Sequence, residues 1–378
     1  MILRNSSICR TLSLTISSLP GLTGGFSGFL RVIPMGKTAR RNTARLAAGF
    51  LSVFALLFGC QGYLCGEEDP SLFWPPPPAE IKVVFIKSIY GPEDVGIKPT
   101  FFKKIKGFIV GGEKDALSRP IAVAVDSQGA IYVCDPGIPA VHVFNQEEKQ
   151  YKRITAIDGQ ALASPVSVAI SKNGLVFISD SKLRKVFCLD RKGRTQFVIG
   201  DDKTFLRPTG LAASEEKLYV VDTAAHRVFM FDLKGNFLDG FGQRGRKTGE
   251  FNYPTSVALD QEGKVYIVDT LNFRIQVFDQ ANHFLFAIGQ AGDGSGFFSR
   301  PKGVAVDSFG HIYSTDGLSD NVQIFSQKEE FLLSLGESGH GRGEFWIVSG
   351  VAIDEKNYIY VADSYNQRIQ VFRYVGKE

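Results

Sequence analysis

A short apolar strand that ends in an aspartate recurs six times along this 378-residue chain. The copies read YVCD, FISD, YVVD, YIVD, YSTD and YVAD, and their last residues are Asp135, Asp180, Asp222, Asp269, Asp316 and Asp363. Successive aspartates lie 45, 42, 47, 47 and 47 residues apart. A regular period of this length predicts a fold built from six repeated structural units.

Each repeat contains four short segments with the alternating polar and apolar pattern of β-strands. The fourth copy reads SVALD, KVYIVD, RIQVFD and FLFAIG, with glycine, asparagine and aspartate in the turns between them. A second landmark precedes each aspartate by about fifteen residues: Pro120, Pro165, Pro208, Pro254, Pro301 and, in the sixth copy, Ser349. Four strands in each of six units predict an all-β fold, a six-bladed β-propeller of four-stranded antiparallel blades.

The repeat resembles the NHL-repeat family over roughly residues 105–378. The shared motif is RP-x-G-V-A-V-D, then G-x-I-Y-x-x-D, then N-x-R-I-Q-V-F, and the fourth and sixth copies match it best. The first, second and fifth copies, which read DPGIPAVHVF, DSKLRKVFCL and DGLSDNVQIF, lack the Asn-x-Arg element. The resemblance implies a propeller in which the recurring motif shapes the scaffold and does not mark six binding sites.

Some propellers with this repeat pattern are zinc-dependent amidating lyases, and lactonase-type propellers hold calcium. Both resemblances would require metal ligands where the innermost strands begin. Those strand starts read PIAV, PVSV, PTGL, PTSV, PKGV and VSGV, without histidine or an acidic residue. We therefore expect no metal, no other cofactor and no catalytic residue, while a lyase or hydrolase using a channel metal remains the alternative.

The last repeat stops after its third strand, RIQVFRYV, so the missing outer strand should come from the N-terminal side. KGFIVGG (106–112) fits that slot because it precedes Pro120 as TQFVIGD precedes Pro208. The segment EIKVVFIKSIY (80–90) is a rival or an extra edge strand. Pairing the first and last strands in one blade would close the ring and protect a sheet edge.

Residues 1–59 are predicted to be a leader, with seven basic residues and no acidic one. The run LAAGFLSVFALLF (46–58) is typical of a secretory signal, and Met35 is a more ordinary start for it than Met1. It ends in LLFGC, which resembles the lipobox of bacterial lipoproteins and implies cleavage and acylation at Cys60. The alternative is an uncleaved signal anchor with an unmodified cysteine.

Residues 60–80 are predicted to be a proline-rich linker, and residues 81–378 the propeller. The four prolines at 75–78 favour an extended polyproline II spacer that holds the domain away from a membrane. This organisation predicts a monomeric propeller in the bacterial cell envelope, outside the cytoplasm and anchored to a membrane by lipid. Without the leader, 36 lysines and arginines face 39 acidic residues, which does not favour a nucleic-acid partner.

The six repeated aspartates are predicted to be structural, because a carboxylate before a turn caps backbone amides or pairs with a local arginine. We expect three pairs, Asp222 with Arg227, Asp269 with Arg274 and Asp363 with Arg368. Strand direction alternates within a blade, so the turns between second and third strands share a face with the blade-to-blade connections. The candidate partner-binding residues on that face are Arg227, Arg244, Arg246, Lys247, Arg274, Arg300, Arg342 and Arg368.

The opposite face is predicted to be acidic, with Glu147, Glu215, Glu262 and Glu330 among its turns. The basic face then suits an envelope protein or an anionic polysaccharide, although ordinary solvated charge explains the same pattern. The function that the sequence favours is a lipid-anchored binding scaffold.

Overall fold

The computed structural model describes residues 72–98, 115–201 and 203–376. The predicted leader, Cys60 and most of the predicted linker lie outside these residues. The regular secondary structure of the described residues is β-strand, apart from two short 3-10 helices at Pro92–Val95 and Thr270–Asn272. Within the described residues, no helix is long and apolar enough to cross a bilayer.

Six antiparallel sheets form the blades. Each of the first five has four consecutive strands, and the sheet of blade six has an additional fifth strand at its outer edge. Blade one contains β3 (Ala122–Val125), β4 (Ile131–Asp135), β5 (Ala140–Asn145) and β6 (Gln150–Ile154). Blade two contains β9 (Pro165–Ile170), β10 (Val176–Asp180), β11 (Lys185–Leu189) and β12 (Thr195–Ile199), and a small hairpin of β7 (Ala156–Ile157) and β8 (Gln160–Ala161) precedes it. Blade three contains β13 (Pro208–Ala213), β14 (Lys217–Asp222), β15 (Arg227–Asp232) and β16 (Phe237–Phe241).

The remaining blades repeat this plan. Blade four contains β17 (Pro254–Leu259), β18 (Val265–Asp269), β19 (Arg274–Phe278) and β20 (Phe284–Ile288). Blade five contains β21 (Pro301–Val306), β22 (Ile312–Asp316), β23 (Asn321–Phe325) and β24 (Phe331–Leu335). After the short parallel pair β25 (Glu337–Ser338) and β26 (Glu344–Phe345), blade six contains β27 (Val348–Ile353), β28 (Tyr358–Asp363) and β29 (Arg368–Tyr374). The predicted six-bladed propeller is confirmed.

The outer strand of blade six comes from the N-terminal side of the chain. It is β2 (Val83–Ile89), which pairs with β29 from Val83 opposite Tyr374 to Ile89 opposite Ile369. The prediction that KGFIVGG closes the ring is therefore wrong, and the rival at residues 80–90 fills the slot; KGFIVGG itself lies outside the described residues. The seven-residue β2 is the closing strand because it pairs along β29 and because Val83 and Ile89 become completely buried there.

The four prolines do not form the extended spacer that the sequence predicts. Before them, β1 (Phe73–Trp74) adds a fifth strand outside β2, and the Lys82 amide donates to the Trp74 carbonyl at 2.8 Å. The prolines therefore lie in the loop between β1 and β2. The Trp74 ring packs edge-on against Phe372, with 5.6 Å between ring centroids. This apolar contact holds the segment against blade six, so the propeller begins before residue 81.

The core lies between neighbouring blades, and the long connections contribute to it. Phe251, Phe298 and Phe345 come from these connections and are fully buried. Each ring lies beneath a glycine that begins the same connection; a Cβ on Gly289 would sit 2.3 Å from Phe298 Cδ2. The glycine-rich connections are therefore packed parts of the scaffold.

Both described cysteines, Cys134 and Cys188, are buried free thiols within strands. Burial raises the pKa of Cys188 to about 12 and raises the pKa of Cys134 further, so both thiols stay protonated at neutral pH.

Candidate functional site

The six repeated aspartates join each blade to the connection that enters it. All six are fully buried. In blade one, the Asp135 carboxylate accepts hydrogen bonds from the backbone amides of Ser118 at 2.6 Å and Arg119 at 3.0 Å, and from Gly137 in its own turn at 2.9 Å. Asp180, Asp222 and Asp316 accept equivalent backbone bonds from both sides. These carboxylates satisfy amides that would otherwise be buried without a partner.

In blades four and six, an arginine side chain extends the same network. Arg274 donates from Nε to Asp269 at 2.9 Å and from Nη2 to the carbonyls of Lys247 at 2.8 Å and Glu250 at 3.0 Å. Burial raises the pKa of Asp269, while the hydrogen bonds from the Asn252 amide, Asn272 and Arg274 oppose that rise. Arg274 therefore clamps the connection between blades three and four.

Arg368 makes the equivalent clamp in blade six. Its Nε lies 2.7 Å from Asp363 Oδ2, and its Nη2 donates to the carbonyls of Gly341 and Glu344. The Arg368 side chain is only 2% exposed, against 17% for Arg274. Neither guanidinium is free to contact a partner, so the two arginines are scaffold groups, contrary to their place among the predicted contacts.

Blade three lacks the third predicted pair. Asp222 bonds to the backbone amides of Leu206 at 2.6 Å and Arg207 at 2.9 Å, and Arg227 is exposed and donates to the Gly240 carbonyl at 3.0 Å. The Arg227 guanidinium lies 5.6 Å from the centroid of the Phe229 ring. The predicted Asp222–Arg227 pair is wrong because Phe229 stands where blades four and six have glutamine, and it attracts the guanidinium outward.

We name the face that carries the blade-to-blade connections and the turns between second and third strands the loop face. Its exposed basic side chains include five of the predicted contacts, Arg244, Arg246, Lys247, Arg300 and Arg342. The backbone amides of Arg246 and Lys247 each donate to Glu250 Oε2 at 3.0 Å, so their connection has a defined shape.

The loop face also carries exposed apolar side chains that the sequence reasoning missed. We name them the apolar arc: Leu206, Leu271, Leu318, Trp346 and Tyr365, on blades three to six, with exposures between 42% and 64%. Three of them stand two residues after a repeated aspartate, where the sequence has leucine, leucine and tyrosine in blades four to six. An apolar residue at this position of the repeat was the sequence signal that could have revealed the exposed side chains. Several large apolar side chains exposed on one face are more typical of an interaction site than a single exposed one.

Contacts within blade six fix one end of the apolar arc. The Trp346 and Tyr365 ring centroids are 5.3 Å apart, and the Tyr365 amide donates to the Trp346 carbonyl at 3.1 Å. His340 stands edge-on to Trp346 at 5.0 Å, and its Nδ1 lies 2.7 Å from Asn366 Oδ1. The aromatic pair is thus preorganised for contact, which lowers the entropy cost of binding.

Hydroxyl groups beneath the loop face join neighbouring blades. Thr223 Oγ1 donates to the Pro254 carbonyl at 2.6 Å, and Thr270 Oγ1 donates to the Pro301 carbonyl at 3.0 Å. Ser364 Oγ makes the same bond across the closed ring, to the carbonyl of Pro120, at 2.6 Å. These bonds hold the turns of the loop face in fixed positions relative to one another.

The opposite face, which we name the turn face, carries the predicted acidic residues, and Glu147, Glu215, Glu262 and Glu330 are exposed there. A cavity of about 520 Å³ lies between blades four and five. Its main acid, Asp307, is engaged by the backbone amide of His311 at 2.8 Å and the Tyr313 hydroxyl at 2.9 Å. The cavity is therefore formed mainly by the turns of blades four and five, and the hydrogen bonds of Asp307 serve to stabilise its own turn.

No three histidine, cysteine or acidic side chains of the described residues are grouped so that they could hold a metal ion. The buried His142 has Nδ1 2.9 Å from the Tyr151 hydroxyl and Nε2 3.8 Å from Asp135. Burial lowers the pKa of His142 to about 4, against the opposing effect of Asp135. This imidazole is neutral at physiological pH.

Two family models match parts of the chain. One describes a six-bladed β-propeller and covers residues 201–272, and the other describes the NHL repeat and covers residues 345–372. These two segments fall in blades three, four and six, which include the copies with the strongest motif.

Solved propellers are similar to the chain in fold. Virginiamycin B lyase from Staphylococcus aureus is 12% identical, with a TM-score of 0.51 over 68% of this chain and 96% of that one. A gluconolactonase from Xanthomonas campestris is 15% identical, with a TM-score of 0.53 over 68% and 87%. An auxiliary nutrient binding protein from Bacteroides thetaiotaomicron is 13% identical, with a TM-score of 0.54 over 69% and 70%. The repeats and the closed ring of blades lead to one conclusion: the chain is a six-bladed β-propeller, in which residues 345–372 match the NHL repeat.

Proposed function

We propose that this protein is a lipid-anchored, extracytoplasmic scaffold that binds a partner protein on its loop face. The observation that supports this function best is the apolar arc, because five large side chains stay exposed on one rigid face. Fully burying a leucine or aromatic side chain contributes about 1.5–3 kcal/mol. Large aromatic residues often dominate the binding energy of an interface, which makes Trp346 and Tyr365 the expected anchors.

The charged groups around the apolar arc suggest the character of the partner. Arg244, Arg246 and Arg300 are exposed on the same face. Cations around an apolar centre favour an acidic partner and increase the association rate at low salt. The aliphatic leucines of the arc favour a protein over a polysaccharide, whose hydroxyl groups would lose water without equivalent partners.

The proposed anchor is the lipid on Cys60, supported by the LLFGC motif that follows a short apolar run. Phe73, where β1 begins, comes thirteen positions after Cys60. A chain of that length reaches at most about 45 Å. The propeller would therefore stay close to the membrane surface and find its partner there.

The test is capture of a partner from detergent-solubilised cells by the purified propeller. The double variant Leu318→Ser and Trp346→Ser removes two exposed side chains of the apolar arc. Leu332→Ser is the matched control, because Leu332 is an exposed leucine of blade five on outer strand β24. We expect at least a tenfold loss of capture with the double variant and none with the control. Equal capture by both variants contradicts the proposal.

The fold also carries enzymes, since the relatives named above include a lyase and a gluconolactonase. Metal analysis of the purified protein separates the two functions: stoichiometric zinc or calcium would favour an enzyme, and a metal-free protein that still captures its partner favours the scaffold.

A further inference from the structure

Lys302 departs from the repeat at the residue that follows the inner-strand landmark. In blade six it is Val348, not the predicted Ser349, that takes the place of the landmark proline, because Val348 pairs with Asp363 as Pro301 pairs with Asp316. The residues at the position of Lys302 are therefore Ile121, Val166, Thr209, Thr255, Lys302 and Ser349, so only blade five places a charge there. The lysine stem lies against Gly317, because a Cβ on that glycine would be 2.6 Å from Lys302 Cε and 2.9 Å from the Val348 carbonyl. Blades two, three, four and six have serine or threonine at the position of Gly317. Blade five thus lacks the side chain that would occupy the path of the lysine.

The ammonium group of Lys302 has no partner among the described residues. The two carboxylates that act on it electrostatically, Asp316 and Asp320, are engaged elsewhere. Asp316 accepts the amides of Ser299 at 2.6 Å and Arg300 at 2.9 Å, and Asp320 accepts the Ile347 amide at 2.6 Å and the Ser338 hydroxyl at 3.0 Å.

This unpartnered position is energetically unfavourable. Burial lowers the pKa of Lys302, and the neighbouring Arg300 lowers it further. A partly desolvated ammonium without an acceptor costs free energy that a bound anion can recover. The site therefore suits an anionic group that enters from the loop face.

The surroundings select the kind of anion. Leu318 follows Gly317 directly, and Trp346 precedes Val348 by two residues, so the lysine stem lies between the chain segments that carry two members of the apolar arc. A single ammonium whose stem lies against segments that carry exposed apolar side chains suits a carboxylate attached to an apolar body. A phosphate dianion would call for more donors than one lysine supplies.

We propose that Lys302 binds a carboxylate of the partner at the boundary between blades five and six, with the apolar group next to that carboxylate packed on Leu318 and Trp346. The inference rests on the proposed function, because it assigns the chemistry of the segment that the loop face binds: an acidic peptide with a neighbouring large apolar side chain.

The test uses the only two tryptophans of the sequence, Trp74 and Trp346. In a Trp74→Phe background, Trp346 fluorescence reports binding beside Lys302. The probes are N-acetylphenylalanine and its uncharged amide, which differ only in the carboxylate. We expect the acid to bind at least five times more tightly than the amide. Lys302→Met should abolish that preference, and Lys302→Arg should retain it.

The matched control is Lys182→Met, since Lys182 is an exposed lysine on the same face, in the turn after the second strand of blade two. This variant should keep the full preference for the acid. Equal affinity for acid and amide in the parent protein overturns the inference, as does a preference that survives Lys302→Met. Displacement of the acid by equimolar inorganic phosphate would also overturn it, in favour of a phosphate site.

The same variants separate this inference from the proposed function. If the Leu318 and Trp346 double variant loses partner capture but the parent protein does not prefer the acid, the scaffold function is supported and the carboxylate site is overturned. If the parent protein prefers the acid but the double variant still captures the partner, the carboxylate site is supported and partner binding through the apolar arc is overturned.

Discussion

Arg368 and Asp363 form a buried ion pair, with 2.7 Å between Nε and Oδ2, in the blade where both ends of the propeller meet. The same guanidinium donates from Nη1 to the hydroxyl of Tyr90, just beyond β2, at 3.0 Å. It also binds the carbonyls of Gly341 and Glu344 in the connection from blade five. Arg368 therefore joins the N-terminal segment, the C-terminal strands and the connection between blades.

We expect Arg368→Met to lower the free energy of unfolding by about 3–5 kcal/mol, because it leaves the Asp363 carboxylate buried without its charge partner. Urea denaturation followed by circular dichroism measures the change. Arg227→Met is the matched control from blade three, where the arginine is exposed, and it should cost no more than about 1 kcal/mol. Similar losses in both variants would show that Arg368 is not a clamp.

Gly289→Ala should destabilise the propeller by about 2–3 kcal/mol, because the new Cβ would lie 2.3 Å from the Phe298 ring at a φ of +87°. Gly249→Ala is the control, since Gly249 has a φ of +76° and nothing within 4 Å of the added atom. The control should cost only the strain of the left-handed backbone, about 1 kcal/mol. Thermal and urea unfolding of both variants measure the difference, and equal losses would contradict packing beneath Gly289.

Lys302→Met should raise the free energy of unfolding at neutral pH, because methionine keeps the stem and removes a partly desolvated charge. Burial lowers the pKa of Lys302 in the folded protein below its ordinary value of 10.5. The unfolded chain therefore holds the proton more tightly, and the lysine destabilises the fold below its folded pKa. That penalty fades as the pH rises through the folded pKa towards 10.5.

Urea unfolding of both proteins near neutral pH and near pH 10 checks this prediction. The variant should be the more stable protein by about 1 kcal/mol at neutral pH, and the gap should narrow at high pH. A wild type that is more stable at neutral pH would mean that Lys302 has a favourable partner in the free protein.

His142 should make the propeller sensitive to acid. Its folded pKa of about 4 lies below the ordinary value of 6.5, so the unfolded chain binds the proton first as the pH falls. Stability from this residue is therefore fully present above pH 6.5 and is lost between pH 6.5 and about pH 4, by at most about 3 kcal/mol.

His142→Gln is the variant that checks this, because glutamine occupies the equivalent position in blades four, five and six. Urea unfolding across this range should show a smaller loss of stability in the variant than in the wild type. Parallel curves for the two proteins would contradict the assignment.

The repeat period predicted the blades because every copy carries the same strand pattern and the same aspartate. The closing strand was not predictable in this way, because KGFIVGG and EIKVVFIKSIY both contain a short apolar run before the first landmark proline. Only the full ladder between β2 and β29 distinguishes them. The tetraproline loop was missed for a related reason, since the packing of Trp74 on Phe372 joins residues far apart in sequence.

The basic residues show where sequence spacing stops being informative. Arg227, Arg274 and Arg368 all stand five residues after a repeated aspartate. Arg274 and Arg368 lie against the blade-to-blade connections because they donate hydrogen bonds to backbone carbonyls there. Arg227 points outward instead, over the ring of Phe229. Exposure therefore depends on neighbours in space, and the apolar arc became visible only when the turns of four blades were placed on one face.

Photo-crosslinking in intact cells tests whether the loop face binds a partner. A photoreactive amino acid would replace Leu318 in one strain and Leu332 in another, both exposed leucines of blade five. We expect one discrete protein adduct from position 318 and none from position 332. The same adducts at both positions, or none at position 318 in a folded and membrane-localised protein, would contradict it.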